Sequence, residues 1–259
     1  MIDEKGRELS RKDLLTSGWK SVSLVDVHAS VSFTLWLCGC NLKCPFCHNW
    51  RLAENDVELC KWISVDEVVE ALTSSIGLVD YIHVTGGEPL IQWRGLVKLF
   101  EKVRELSGVK TSLNTNLTLV KPLKKLLEKN LVDHIATDLK IPHQELYGLS
   151  RQASNRLWSF FLENVKTISE YSVSLELRVP VSRLLSPELL EDTVLILEKH
   201  LRRVNDLTII IQPLLGKPVT NPRDVEWCAK YCNVGRGFLE SLADVFRNHG
   251  FTRIVVAEK

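Results

Sequence analysis

The sequence predicts an α/β fold: an open, partial (β/α)6 barrel built on a parallel sheet. Three observations lead there. Strand-like and helix-like segments alternate along the chain, and serial βα units favour a parallel sheet. The chemically unusual residues collect where the strands end, which is where barrel enzymes place their sites. With 259 residues, 45% of them hydrophobic, the chain can bury a substantial core.

In chain order, residues 1–20 are polar and charged without clear periodicity and read as an N-terminal extension. Residues 21–259 read as one domain, without an internal repeat, low-complexity tract or linker. Residues 31–37 (VSFTLWL) are β-branched and aromatic, the composition of a strand, and run directly into a cysteine-rich loop. Ser64-Val-Asp-Glu67 has capping-box spacing and opens a helix to about residue 74. Residues 81–84 form a short strand ending at Thr85-Gly86-Gly87. Leu96, Leu99, Phe100 and Val103 repeat at helical spacing within 94–106. Residues 110–113 are a third strand, and Pro122 sits early in the helix that carries Leu123, Leu126 and Leu127. Residues 134–137 are the fourth strand, a helix follows over 155–170, and 174–179 is the fifth. A helix over 187–199 leads to the sixth strand at 206–211. The tail, 235–259, adds one more helix and a strand at 253–256.

Composition narrows the function. A net charge of +1 announces no nucleic-acid surface, although a local patch leaves that partner open. No apolar run reaches membrane-span length, and the charged first residues do not resemble a signal peptide. Seven cysteines, an odd number, read as metal or redox chemistry before disulfides and place the chain in a reducing cytoplasm.

Cys40, Cys44 and Cys47 stand in C-x3-C-x2-C spacing. Three thiolates can hold three irons of a [4Fe–4S] cluster and leave the fourth open to substrate, whereas closed clusters and structural zinc sites take four protein ligands. The alternative is a non-enzymatic zinc scaffold with Cys38 or His48 as fourth ligand; structural zinc sites usually use two separated pairs. Cys38 otherwise reads as a small buried residue. Cys228 and Cys232, at i and i+4 on a helix, read as buried or surface thiols, and Cys60 completes no motif. Glu176 and Arg178 alternate with Leu175, Leu177 and Val179, so the charged pair shares one strand face. Arg178 there either binds a ligand or pairs with Glu176.

Residues 35–49, with Cys40, Cys44, Cys47 and the following His48-Asn49, resemble the cluster loop of the radical S-adenosylmethionine enzymes. Gly86-Gly87-Glu88-Pro89 resembles that superfamily's second signature. His48-Asn49 and Asp138-Leu-Lys140 are similar to its glycyl-radical-enzyme activating branch, which includes activators of pyruvate formate-lyase and of anaerobic ribonucleotide reductase. The resemblance implies the superfamily's partial barrel, a [4Fe–4S] cluster and S-adenosyl-L-methionine, whose reductive cleavage yields a 5′-deoxyadenosyl radical. It also implies a glycyl radical enzyme as protein substrate and a flavodoxin- or ferredoxin-type electron donor.

For individual residues it implies that Phe46 packs on the adenine. Gly86, Gly87 and Glu88 meet the methionine end, with Glu88 on its ammonium. His48 contacts the cofactor or supports the cluster. Asn114, Asn116, Asp138 and Lys140 meet the cofactor's carboxylate or ribose, or a monovalent cation, although Asn114 stands where the pyruvate formate-lyase activator has an acid. Arg178 meets the carboxylate or ribose, and Gln212 the adenosyl part in place of a histidine. Residues 25–30 lack the branch's Gly-Pro-Gly element. The same cofactor chemistry on a small molecule or a nucleoside in RNA, as in 7-carboxy-7-deazaguanine synthase, is the alternative within the superfamily.

Overall fold

The computed structural model describes residues 12–257. The elements, in order, are β1 (Leu14–Ser23), β2 (Ser32–Leu37), α1 (Trp50–Ala53), β3 (Lys61–Ile63), α2 (Val65–Thr73), β4 (Tyr81–Gly86), a 3-10 turn (Pro89–Gln92) and α3 (Trp93–Arg104). Then come β5 (Lys110–Asn114), α4 (Val120–Glu128), β6 (His134–Asp138), α5 (His143–Leu146), α6 (Arg151–Ile168), β7 (Ser174–Val181) and α7 (Pro187–Leu201). The last are β8 (Leu207–Pro213), α8 (Val225–Tyr231), α9 (Arg236–Asn248) and β9 (Ile254–Val256).

The strands form one sheet in the order β3-β1-β2-β4-β5-β6-β7-β8-β9. From β2 through β9 every pairing is parallel, and β1 pairs antiparallel with both β2 and β3. Helices cross between successive parallel strands, giving the expected partial barrel of six βα units. The predicted helix starts follow from their caps. Ser64 and Glu67 close the reciprocal box at α2, and Ser150 accepts from Ala153 N, so α6 begins before residue 155.

One face of the sheet is apolar. Phe33, Leu35, Ile82, Val84, Leu113, Ile135, Leu177 and Ile211 pack on the helix layer, including Leu96, Leu99, Phe100 and Phe246. The alternate residues line the barrel interior and are polar. Thr34, His83, Ser112 and His134 are paired in register across β2, β4, β5 and β6, and all four are buried. Ser112 Oγ lies 2.7 Å from His83 Nδ1 and 2.8 Å from His134 Nδ1. Glu176, buried in the same interior, bonds Arg178 Nε at 2.5 Å. The interior of this barrel is therefore a hydrogen-bonded polar core, and the apolar core lies outside it.

Two expectations are corrected. Residues 14–20, placed in an N-terminal extension, belong to β1; residues 1–11 lie outside the described part. The strand has few apolar residues because half of it is exposed beside β2, so its pattern gave no signal. The second concerns the cysteines. Cys38 is bonded to Cys60 and Cys228 to Cys232, so these four are not thiols. A sequence separation of 22 formed no motif, and the compartment argument outweighed the four-residue spacing. Among the described residues no helix is long and apolar enough to cross a membrane.

Candidate functional site

The free cysteines are Cys40, Cys44 and Cys47, and all three line one cavity of about 450 Å³. The volume lies within the roughly 300–1,000 Å³ range of small-molecule sites. The cavity opens at the carboxyl ends of the parallel strands. It is walled by the cysteine loop on one side and by the ends of β4, β5, β6, β7 and β8 on the other.

The loop is held by its backbone. Gly39 N and Cys40 N donate to the carbonyls of Leu52 and Ala53 on α1, and Lys43 N to that of Tyr147. Arg223 N and Asp224 N donate to the carbonyls of Cys47 and Pro45. The Cys38–Cys60 disulfide ties the start of the loop to the segment before β3. Gly86 and Gly87 explain the second motif. An added Cβ would stand 2.2 Å from Leu37 O at the first and 2.1 Å from Gly39 O at the second. The glycines thus admit the backbone of the cysteine loop as well as lining the cavity.

Burial pushes the Cys40 thiol up to about 11 and that of Cys44 to about 12, and raises that of Cys47. These thiols are neutral in a bare pocket, and a cationic iron–sulfur group binds them as thiolates with release of protons. Three free thiols on one cavity are the donor chemistry such a group takes, although among the described residues no three His, Cys, Asp or Glu side chains converge closely enough to hold a single metal ion. Leu42 N points at Cys40 Sγ, 3.4 Å away, and two cations stand nearby. One is Lys140, which meets Asp138 at 2.9 Å. Burial alone would lift the Asp138 carboxyl, but Lys140 and Arg178 hold it below its usual value. Burial would draw the Lys140 ammonium down, but Asp138 and Cys44 hold it up. The pair is charged at neutral pH. The second cation is Arg223, whose Nε and Nη1 are buried without a hydrogen-bond partner among the described residues.

Phe46, His48, Asn114, Asn116, Asp138, Lys140, Arg178 and Gln212 all line the same cavity, together with the two glycines. Phe46 packs on Leu214, Cys228, Cys232 and Trp227, so α8 and its disulfide back the aromatic ring. Asn114 Nδ2 donates to Thr85 Oγ1. Asn116 Nδ2 donates to Asn41 Oδ1, joining the β5 turn to the cysteine loop. Arg178 makes the ion pair with Glu176 and also lines the cavity.

Glu88 departs from its expected place. It is fully buried and does not line the cavity. Its carboxylate accepts from Leu90 N, Thr115 Oγ1 and Asn116 N at 3.0, 2.7 and 2.7 Å. Burial pushes its pKa up, against those three bonds. It ties the β4 turn to the β5 turn beneath the cavity wall.

Sequence reasoning missed Asp26, Trp36 and Thr85 in the lining. Trp36 and Thr85 could have been found from strand alternation, being two residues beyond Thr34 and His83. Asp26 had no such signal. It sits in the β1–β2 connection, where its carboxylate accepts from Thr34 and its carbonyl from Arg178.

The radical SAM superfamily profile matches residues 35–194. A Methanocaldococcus jannaschii protein named as a glycyl-radical enzyme activating enzyme is 29% identical over 126 residues, 49% of this chain and 50% of that protein. The 7-carboxy-7-deazaguanine synthase of Hyperthermus butylicus is 33% identical over 187 residues, 64% of this chain and 73% of that enzyme. The chain thus spans half the length of the first relative and about three quarters of the second. The solved structure of anSMEcpe with bound AdoMet matches 83% of this chain and 58% of that one with a TM-score of 0.53, at 21% identity, a likeness of fold.

Proposed function

The chain belongs to the radical SAM superfamily, and we propose on that premise that it cleaves S-adenosylmethionine reductively and generates a glycyl radical on a partner enzyme. The observation that carries this is the convergence of three free cysteines, the Gly86-Gly87 turn and the Asp138–Lys140 pair on one cavity. Bound there, a reduced [4Fe–4S] cluster would supply one electron to the S-adenosylmethionine sulfonium, breaking its C5′–S bond to release methionine and a hydrogen-abstracting radical.

The protein's part is to hold and orient. Cys40, Cys44 and Cys47 hold the cluster. The Lys140 ammonium, fixed by Asp138, presents positive charge to a carboxylate. Arg178 commits Nε to Glu176 and Nη2 to the Asp26 carbonyl, which fixes the guanidinium and leaves further N–H donors for a ligand. Phe46, backed by α8, offers a flat face to a nucleobase. A monovalent cation belongs with Asp138 and the Asn114 turn. The partner would be an anaerobic ribonucleotide reductase or a pyruvate formate-lyase-like enzyme, and the electron would come from a flavodoxin- or ferredoxin-type donor. The activity requires low oxygen and suits an anaerobic cytoplasm, while the two disulfides depart from what a reducing compartment usually holds.

One observation favours a second substrate. The synthase relative is matched over more of its length than the activating-enzyme relative, which supports a small deazapurine-type product made by the same cofactor chemistry. The zinc scaffold is disfavoured because Cys38 is engaged with Cys60 and, among the described residues, no three His, Cys, Asp or Glu side chains converge as ligands of one metal ion.

Anaerobic reconstitution with iron and sulfide, dithionite reduction and quantification of 5′-deoxyadenosine tests the shared chemistry. Production is expected in the native chain and absent in Cys40→Ala, Cys44→Ala and Cys47→Ala. Adding a glycyl radical enzyme should then give an organic-radical EPR signal that disappears when the acceptor glycine is replaced by alanine. Formation of 7-carboxy-7-deazaguanine without such a signal would select the second reading, and zinc uptake without cofactor cleavage would overturn both.

A further inference from the structure

Arg223 lies in the connection between β8 and α8 and is clamped to the back of the cysteine loop. Its own N–H donates to the Cys47 carbonyl at 2.9 Å, and the N–H of Asp224 donates to the Pro45 carbonyl at 2.9 Å. The side chain is largely buried, at 16% exposure, and its Nε and Nη1 have no hydrogen-bond partner among the described residues. The carboxylate paired with it, Glu54, is 3.6 Å from Nη2 and 54% exposed. That distance is too long for a hydrogen bond, and water screens the pair. The Asp224 carboxylate is turned away to cap α8, accepting from Trp227 N at 2.8 Å. The other cation of the site, Lys140, already has a carboxylate partner in Asp138 at 2.9 Å. Arg223, tied to Cys47 through its backbone, therefore brings to the back of the cysteine loop a positive charge that its surroundings leave largely uncompensated.

A largely buried guanidinium whose one paired carboxylate is exposed and distant is costly unless further negative charge faces it. A cluster ligated by three thiolates carries that charge, and its one-electron reduction adds one more unit. Cluster potentials follow local net charge and hydrogen bonding. We propose that Arg223 is a tuning residue of the cluster: its fixed charge beside Cys47 favours the reduced state and raises the midpoint potential. This rests on the cluster reading above. Arg223 acts through Cys47 and does not touch substrate. The couple involves one electron entering the cluster, with no bond broken and no proton transferred; dithionite supplies the electron in the test.

The test is an EPR-monitored redox titration of the reconstituted protein without S-adenosylmethionine, on the native chain, Arg223→Gln, Arg223→Lys and Glu54→Gln. Arg223→Gln should lower the reduced-to-oxidised ratio at fixed potential about tenfold, a shift of roughly 59 mV to more negative midpoint for a one-electron couple. Arg223→Lys should stay near native, and Glu54→Gln should move the opposite way, by less because Glu54 is exposed. An unchanged midpoint in Arg223→Gln, or an equal fall in Arg223→Lys, would overturn the assignment. If Arg223→Gln does not fold, Glu54→Gln decides, since it leaves the buried side chain intact: a positive shift supports the assignment and no shift overturns it. Iron counting separates the two levels. A native chain that takes up no cluster sinks the cofactor reading, whereas a loaded cluster with unmoved potentials sinks the role of Arg223 alone.

Discussion

Glu88 is the acid of the second motif, and its surroundings give it a structural task. Three donors engage both oxygens of a carboxylate that water does not reach. Glu88→Gln turns one acceptor oxygen into an amide that faces a donor, either Asn116 N–H or the Leu90 and Thr115 pair. A buried group left in conflict costs about 1–3 kcal/mol. The variant should therefore unfold at a lower denaturant midpoint even without iron or cofactor; unchanged apo stability together with weakened cofactor binding would return Glu88 to the ligand-binding role. That the three cysteines and Asp138 with Lys140 would share one cavity was legible because the cysteine spacing and the resemblance carried by Asp138-Leu-Lys140 each sit at a strand end. The burial of Glu88 was not legible because sequence shows that an acid follows two glycines but not which way its carboxylate turns. Arg223 was invisible for a related reason: it lies 176 residues from Cys47, and only the return of the chain after β8 brings the two together.

At the scale of elements, the cysteine loop is a short segment between β2 and β3 that three other parts of the chain hold in place. The disulfide from Cys38 to Cys60 encloses all three free cysteines within its span. Closing a separation of 22 residues restricts the unfolded chain by about 3 kcal/mol, against about 2 kcal/mol for the short Cys228–Cys232 link. The pair Cys38→Ala with Cys60→Ala should therefore lower apo stability more than Cys228→Ala with Cys232→Ala, as read by chemical denaturation. Equal losses would show that local packing, and not loop closure, sets the contribution. The same region marks where sequence reading stopped. The parallel strands β2 and β4 to β8 were legible because each is a short, largely buried β-rich run followed by a segment of helical periodicity. β1 and β3 were missed because they are antiparallel strands with exposed residues. β3 has only three residues, Lys61–Ile63, whose hydrogen bonds depend on β1.

Across the whole molecule, the barrel divides into an apolar shell and a polar interior, and the two respond differently to pH. His83 is buried and bonded to Ser112, and burial first, then Arg178 and His134, holds its imidazole well below the ordinary value. His134 is likewise held down by burial, with Arg178 adding to that and Glu176 opposing it. An unfolded chain protonates a histidine near pH 6.5. Between that pH and the lower folded value, the unfolded state binds a proton that the folded state refuses. Stability is then complete above about pH 6.5 and is lost as pH falls through the window, by up to about 1.4 kcal/mol per unit for each such histidine. His249 works in the opposite sense, because Glu198 and Glu191 hold it above the ordinary value, so its contribution is present in acid and lost as pH rises. A single pH–stability curve would mix these effects, but the difference between the native chain and His83→Gln isolates one of them. The glutamine can still bond Ser112 without titrating. Denaturation at pH 7.5 and at pH 5.5 should show the native chain losing roughly 1 kcal/mol more than the variant between the two conditions. Equal losses would mean that the interior admits a proton to His83, and that the polar network spanning β4, β5 and β6 is open to water and does not serve as a dry floor beneath the cofactor cavity.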